Sequence, residues 1–283
     1  MSHYKIISDS CCDYVQHGED VLSFVTRVPL SIELDGDHFL DNSDLDTDAF
    51  VAAIALSKSA PRSACPSPML FAEACAGEAQ DVYIVTLSDK MSGSYASACV
   101  GAQEARKIYP QKNIHVFNSL SAACGQVDIC LRIQELAEGG MPFAELVKNV
   151  EAFILEMATI FVLEDLNVLR KNGRLNHLQA LAVNALRIKM VMASDGNGDI
   201  AVRAKSIGVN RALSAMVDYI KSIYDARPCP EKTLVITHCA CLERAEEICR
   251  RILEICPFAK SLICRSSGIS TMYANAGGII VAF

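Results

Sequence analysis

Serines carry most of the chemistry that this sequence offers, and they cluster directly behind apolar runs. Ser8-Asp9-Ser10 follows Tyr4–Ile7, Ser88 and Ser92-Gly93-Ser94 follow Val82–Leu87, and Asn118-Ser119 with Ser121 follow Ile114–Phe117. At Ser92-Gly93 a helical pattern begins. A helix start combines free amide groups with the positive end of the dipole, so hydroxyls and a glycine there suit an anionic group. The reading is that Ser92 and Gly93 hold the acidic head of a small molecule. Serine is also an ordinary turn and capping residue, and Asp9 accepting from nearby amides would be an ordinary Asx-turn. Three such turns at one edge favour a ligand over three unrelated turns.

Two other chemistries compete for the same stretch. A serine beside a glycine at a strand–helix turn resembles a hydrolase nucleophile, which makes an acyl-ester hydrolase using Ser92 one alternative. The G-x-S-x-G elbow is missing and no His–Asp pairing is visible; His238, after Thr233–Thr237, is the best candidate base. A helix start also accepts phosphate, so a binder of another amphipathic anionic lipid is the other alternative. Phosphate loops bring more glycines or a lysine, and Lys90 is expected to face solvent. Lys189 and Arg203 are read first as surface charges.

The elements that must position these residues alternate in type. Strands are expected at Tyr4–Ile7, Val21–Val28, Val82–Leu87 and Ile114–Phe117. Ser31–Asp41 reads as a hairpin around Asp35-Gly36. Asp46 or Thr47 caps a helix to about Ser57, Lys58–Pro66 is a loop, and Ser67 caps a helix from Pro68 to Ala76. Helices Ser92–Tyr109 and Ala123–Glu138 follow, and Pro142 opens another. This alternation indicates βαβ units and a mainly parallel sheet, whose ligands bind outside the carboxyl ends of the strands. Past Met157 the pattern mixes a hairpin with βα units. Strands are expected at Thr159–Leu163, Ile188–Met192, Ile200–Ile207, Thr233–His238, Ala259–Ile263 and Ile279–Phe283. The helices are Asp165–Lys171, Leu178–Leu186, Asn210–Tyr224 and Leu242–Ile255. The fold class is therefore α/β with two α/β domains, 1–157 with a mainly parallel sheet covered by helices on both faces, and 158–283 with a mixed sheet. A ligand slot is expected between them.

Composition narrows the function. The 283 residues are long for one core, and 51% are hydrophobic, enough for a large core and an apolar cavity. A net charge of −7 argues against a nucleic-acid surface. No run reaches the ~18 apolar residues of a membrane span; Phe153–Leu169 is cut by Glu156, Glu164 and Asp165. The opening MSHYKIISDS reads as a strand and not a signal peptide, so a cytoplasmic location without membrane insertion is expected. Thirteen cysteines, mostly inside apolar patterns, read as small buried hydrophobes in a reducing compartment. Cys11-Cys12 and His238-Cys239-Ala240-Cys241 lack the C-x₂-C pairs of a structural zinc site, so no metal and no cofactor are expected.

Six segments in order resemble the DegV family of bacterial fatty-acid-binding proteins. SDSCCD at Ser8–Asp13 is similar to T-D-S-x-x-D, and Ser63–Pro68 to T-S-Q-P-S-P. LSDKMSGSY at Leu87–Tyr95 resembles S-S-x-L-S-G-T-Y, and Val116–Ser119 with Gly125 resembles V-x-D-S followed by a glycine. LNVLRKNGRL at Leu166–Leu175 is similar to L-x-x-L-x-x-G-G-R-I, and Ile188-Lys189 stands where the family has I-K-P. The resemblance implies a monomeric, non-enzymatic two-domain carrier that buries one long-chain fatty acid and presents it to a fatty acid kinase for acyl phosphate formation in phospholipid metabolism. It places the carboxylate at Ser63, Ser92 and Gly93, and Arg174 at the kinase contact. Asp9, Ser10, Asn118, Ser119, Gly125 and Tyr273 fall in the pocket or near the head group. Each buried CH₂ is worth about 0.8 kcal/mol, so a long chain supplies on the order of 10 kcal/mol before ordering costs. Hydroxyls and amides then satisfy the head, because a bare buried carboxylate is costly. Departures from the family are Ser63 for Thr, Cys65 for Gln, Asn118 for Asp and Met190 for Pro. The family's C-terminal histidine is absent near Tyr273 or Ala274.

Overall fold

The computed structural model describes residues 4–16, 18–175 and 188–283; the expected helix Leu178–Leu186 lies outside them. The first elements are β1 (Tyr4–Asp9), β2 (Val15–Gln16), β3 (Glu19–Asp20), β4 (Val25–Val28), β5 (Ser31–Leu34), β6 (Asp37–Leu40), α1 (Thr47–Leu56), β7 (Arg62–Ala64) and α2 (Pro68–Ala74). Then come β8 (Asp81–Thr86), α3 (Ser94–Ile108), β9 (Asn113–Asn118), α4 (Cys124–Glu138) and α5 (Phe143–Glu156). The remainder is β10 (Thr159–Val162), α6 (Asn167–Lys171), β11 (Ile188–Ser194), β12 (Ile200–Ile207), α7 (Val209–Ala226), β13 (Thr233–His238), α8 (Leu242–Leu253), β14 (Lys260–Arg265), α9 (Gly268–Ala274) and β15 (Ile279–Ala282).

β4, β1, β8 and β9 form a parallel sheet in that order. Its strands are apolar on both sides, so each face must be covered. Phe71 of α2 and Ala98, Ala102 and Ala105 of α3 pack on Ile7, Val82 and Ile84. Ile129 and Ile133 of α4 and Leu146 and Val150 of α5 cover Ile6, Tyr83, Val85 and Phe117. The small residues of α3 let it press against α2. A Cβ on Gly101 would stand 2.7 Å from Phe71 Cβ, a distance that only glycine avoids. The chain runs from β1 outward to β4 and then back to β8 on the other side. That reversal is a topological switch point, and the crevice outside it is where a ligand is expected.

The second sheet has eight strands in the order β12-β11-β10-β15-β13-β14-β2-β3, with β13 and β14 parallel and the other pairs antiparallel. Met216 and Ile220 of α7 and Ile248 and Ile252 of α8 bury one face. The other face meets α4, because Val235, Cys264 and Ala282 join the cluster around Ile129 and Ile133. α4 is thus held between two sheets, which explains why Gln126 and Asp128 are buried along with its apolar residues. β2 and β3 belong to the first twenty residues yet complete this sheet, so it reaches across the 157/158 division.

The hairpin at Asp35-Gly36 forms as expected, with φ of +51° and +95° at the two turn residues. Several boundaries need correction. Only Val25–Val28 of the expected Val21–Val28 strand pairs with the sheet. The expected loop Lys58–Pro66 contains β7, which pairs with β5 and makes a third, three-stranded sheet. α3 begins at Ser94, so Ser92 lies in the preceding turn and Gly93 is the cap position. Ser67 precedes α2 without a side-chain cap bond, whereas Asp46 does cap α1 through Asp48 N and Ala49 N. α9, in the stretch Ser267–Gly278, was not expected. Its first turn is held from outside: Asp13 Oδ1 accepts from Ser267 N at 2.7 Å, and Asp41 accepts from Gly268 N at 2.7 Å and Ile269 N at 3.1 Å.

Candidate functional site

The carboxyl ends of β1, β8 and β9 lie side by side, and their three turns are wired together. Asp9 is fully buried; its carboxylate accepts from Leu87 N at 2.9 Å, Cys11 N at 3.3 Å and Gln126 Nε2 at 2.9 Å. Burial pushes its carboxyl up to about 6 against those hydrogen bonds. Asp9 therefore ties the first turn to the second. The second and third are joined by Ser88 N donating to Ser121 O at 2.8 Å and by Asn118, whose amide donates to Asp89 Oδ1 at 2.9 Å. Ser119 Oγ accepts from Ser121 N at 3.1 Å and donates to its carbonyl at 3.0 Å. Ser10 Oγ accepts from Leu30 N at 3.0 Å. Asp9, Ser10, Asn118 and Ser119 thus spend their polar atoms on the frame.

Behind this frame, between the parallel sheet and β10–β12, lies an apolar cavity. Its free volume is ≈ 100 Å³, and it opens on one side to solvent. Leu87 and Cys11 stand at the switch point of the parallel sheet, Leu163 and Phe161 come from the β10 side, and Ile269 and Tyr273 come from α9. Cys11 is a neutral thiol, because burial and the nearby Asp9 and Asp13 carboxylates raise it well above its ordinary value.

Tyr273 and Arg174 bring polar groups to the cavity lining. Tyr273 OH and Ser63 Oγ lie 3.1 Å apart, which joins β7 to α9. The guanidinium of Arg174 sits 5.7 Å from the centre of the Tyr273 ring. Its Nε donates to Met91 O at 3.0 Å and a terminal nitrogen to Asn172 O at 2.7 Å. Burial raises the Tyr273 phenol, with the Ser63 hydrogen bond and the Arg174 charge opposing.

Arg174 and Met91 are also part of a shallow surface depression that contains Ser92, Gly93, Asn172 and Gly173. The two residues are a shared wall, with the cavity on one side and the serine turn on the other. Ser92 Oγ lies 3.1 Å from Ser94 Oγ and accepts from Ser94 N at 3.2 Å. Gly93 leaves room for Cys65, whose Sγ would stand 3.1 Å from a Cβ there. Ser63 is thus brought against the cavity-lining Tyr273, Ser92 and Gly93 lie in the adjoining depression, and Arg174 lines both. Gly125 stands deeper: a Cβ there would lie 2.8 Å from Ser121 Cβ and closer still to its hydroxyl. Among the lining residues, Ser121 is one of the serine-turn residues marked in the sequence and Cys11 belongs to the Cys11-Cys12 pair, whereas Met91 and Thr159 were not singled out there as site residues. The alternation Thr159, Phe161, Leu163 was a usable signal for one wall, since such residues share a face.

His238 accepts from Cys241 N on its Nδ1 at 3.3 Å, at the far end of β13. Among the described residues no three His, Cys, Asp or Glu side chains are grouped to hold a metal, and no helix is long and apolar enough to cross a membrane.

Comparison with known proteins places this geometry in context. The model of the DegV family, whose members it describes as uncharacterised, matches residues 3–283. A DegV domain-containing protein of Streptococcus pyogenes serotype M1 is 32% identical over 284 aligned residues, covering 99% of each chain. A DegV family protein from Ruminococcus gnavus, solved with vaccenic acid, is 39% identical with a TM-score of 0.93 and full coverage of both chains. The fatty acid kinase (Fak) B3 protein of Streptococcus pneumoniae, solved loaded with linoleic acid, is 29% identical with a TM-score of 0.88, over 99% of this chain and 98% of that one.

Proposed function

The chain belongs to the DegV family, and from that premise we propose that it binds one long-chain fatty acid in the apolar cavity. The observation that carries this reading is the cavity itself, mostly apolar along its walls, with Tyr273 and Arg174 in its lining and Ser63 bonded to Tyr273. Burial of the acyl chain dominates the affinity, at about 0.8 kcal/mol per CH₂. The carboxylate accepts from the hydroxyls of Ser63 and Tyr273, and Tyr273 stands where the family's histidine is missing. Ser92 and Gly93 complete the cradle from the outer side once Met91 and Arg174 yield. The fatty-acid-loaded relatives from Ruminococcus gnavus and Streptococcus pneumoniae support the ligand class.

The protein acts as a carrier and not a catalyst, presenting the carboxylate to a fatty acid kinase for phosphorylation. The depression beside Ser92 and Gly93 offers the approach, and Arg174 at its edge is the residue assigned to partner contact. We assign 1–157 and 158–283 as the two domains that enclose the ligand. We assign Ser92 as a holder of carboxylate; its hydroxyl lies 3.1 Å from Ser94 Oγ and accepts from Ser94 N. Incubation with acyl esters tests this: turnover that disappears in Ser92→Ala would overturn the carrier reading. The binding reading is tested by titrating delipidated protein with fatty acids, where Ser63→Ala with Ser92→Ala weakens binding and preserves the fold. Unchanged affinity in that double variant places the head group elsewhere.

A further inference from the structure

We propose that the distal half of the cavity selects acyl chains bearing a hydroxyl group, through the paired side chains of Ser121 and Thr159; the inference rests on reading the cavity as a fatty-acid slot. Thr159 and Phe161 of β10 and the following Leu163 all line the cavity. Leu163 marks the head end. It packs with Ala274 at Gly278, where an added Cβ would stand 2.9 Å from Ala274 Cβ and 3.1 Å from Leu163 Cδ2, and Ala274 adjoins Tyr273. At about 3.3 Å per residue, Thr159 then lies roughly 13 Å further along the strand. That distance puts it beside the distal part of a long chain whose carboxylate sits at Tyr273.

Ser121 Oγ and Thr159 Oγ1 are 2.6 Å apart and both buried, in a lining that also contains Leu120, Phe161 and Ile280. Two hydroxyls together carry two protons and four lone pairs. Their mutual bond uses one proton and one lone pair. The other contact of Ser121 Oγ is Ala122 O at 3.4 Å, at the long limit for a hydrogen bond. A plain hydrocarbon segment lying on this pair excludes water and gives nothing back. A hydroxyl on the chain donates to a free lone pair and accepts the poorly placed proton.

The pair is held in place by its surroundings. The Ser121 backbone is pinned by Ser119 Oγ and by Ser88 N, and Gly125 leaves the space that the Ser121 side chain fills. Thr159 is fixed in register with Ala282. A neutral hydrogen bond in such a preset position corresponds to a preference of roughly threefold to tenfold.

The test is calorimetric titration of the delipidated full chain with octadecanoic acid and with analogues whose single hydroxyl is walked from the carboxyl end to the methyl end. The expected result is an affinity maximum for a hydroxyl in the distal half, roughly threefold to tenfold above the unsubstituted acid. Ser121→Ala with Thr159→Val abolishes the preference while octadecanoic acid still binds, and Thr159→Ser, which keeps the hydroxyl, retains it. Two results overturn the inference: octadecanoic acid binding at least as tightly as every hydroxylated analogue, or a preference that survives in the double variant. Failure of both kinds of acid to bind overturns the slot reading and this inference with it.

Discussion

Replacing Tyr273 by phenylalanine removes one oxygen from the cavity lining and leaves the ring beneath Arg174. In the free protein the lost interaction is the 3.1 Å contact with Ser63 Oγ, a neutral hydrogen bond. Such a bond is worth about 0.5–1.5 kcal/mol net. In the proposed complex the phenol donates to a carboxylate, and a bond to a charged group is worth about 1.5–3 kcal/mol. The effect on binding is the difference, about 1–1.5 kcal/mol, or roughly a fivefold to tenfold loss of affinity. Ser63→Ala loses a comparable amount by the same reasoning. The double variant loses more than the sum, because once one hydroxyl is gone the other has no partner to give up on binding and its removal costs the full bond to the carboxylate. Calorimetry or displacement of a fluorescent fatty acid from delipidated protein measures the cycle, with thermal melts confirming that each variant folds. Unchanged affinity in Tyr273→Phe, or strictly additive losses in the double variant, would refute the assignment of these hydroxyls to the head group.

Further predictions concern the frame around the cavity. Gly125→Ala drives a Cβ into Ser121 and lowers stability by about 1–3 kcal/mol, seen as a drop of several degrees in Tm; adding Ser121→Gly restores part of it. Ala123 opens α4 at φ 55° and ψ −124°, a region that strains any residue with a Cβ. Ala123→Gly therefore raises Tm by a few degrees, and an unchanged or lower Tm contradicts the strain. Asp128 is buried in α4 with Oδ2 lacking a hydrogen-bond partner among the described residues, and burial pushes its carboxyl up to about 7 against Lys232 and Arg132. The folded state then holds a proton that the unfolded chain releases near pH 4, so this group's contribution to stability falls as pH rises from about 4 to about 7 and is level above. Each tenfold in proton affinity is about 1.4 kcal/mol, which sets a ceiling of about 4 kcal/mol for Asp128→Asn at pH 8. Denaturant melts from pH 5 to pH 8 should show a flatter profile in that variant and a higher stability at pH 8.

Much of the fold was legible because its signals are local. Asp35-Gly36 requires positive φ and therefore a hairpin, Asp46 caps the next two amides, and the alternation of apolar strands with helices dictated a parallel sheet. The three serine-rich turns were legible as a group, since parallel strands in βαβ order deliver their carboxyl ends to one edge. What escaped depends on distant partners. β2 and β3 have two residues each and exist through pairing with β14, far along the chain. β7 sits between Pro61 and Pro66, which read as loop, and is defined by β5. α9 carries Ser, Thr and Gly in place of a helical pattern, and its first turn is stabilised by Asp13 and Asp41 from the other end of the sequence. The site shows the same division. Ser92-Gly93 and Tyr273 were marked by local pattern or resemblance, whereas the meeting of Ser63 with Tyr273 and the place of Arg174 in the cavity wall arise from tertiary packing.

Purification under native conditions followed by denaturing extraction and mass spectrometry tests the central claim most directly. The expected result is close to one long-chain fatty acid per chain, displaced stoichiometrically by added fatty acid. A protein that emerges free of lipid and fails to take up any long-chain fatty acid would contradict it.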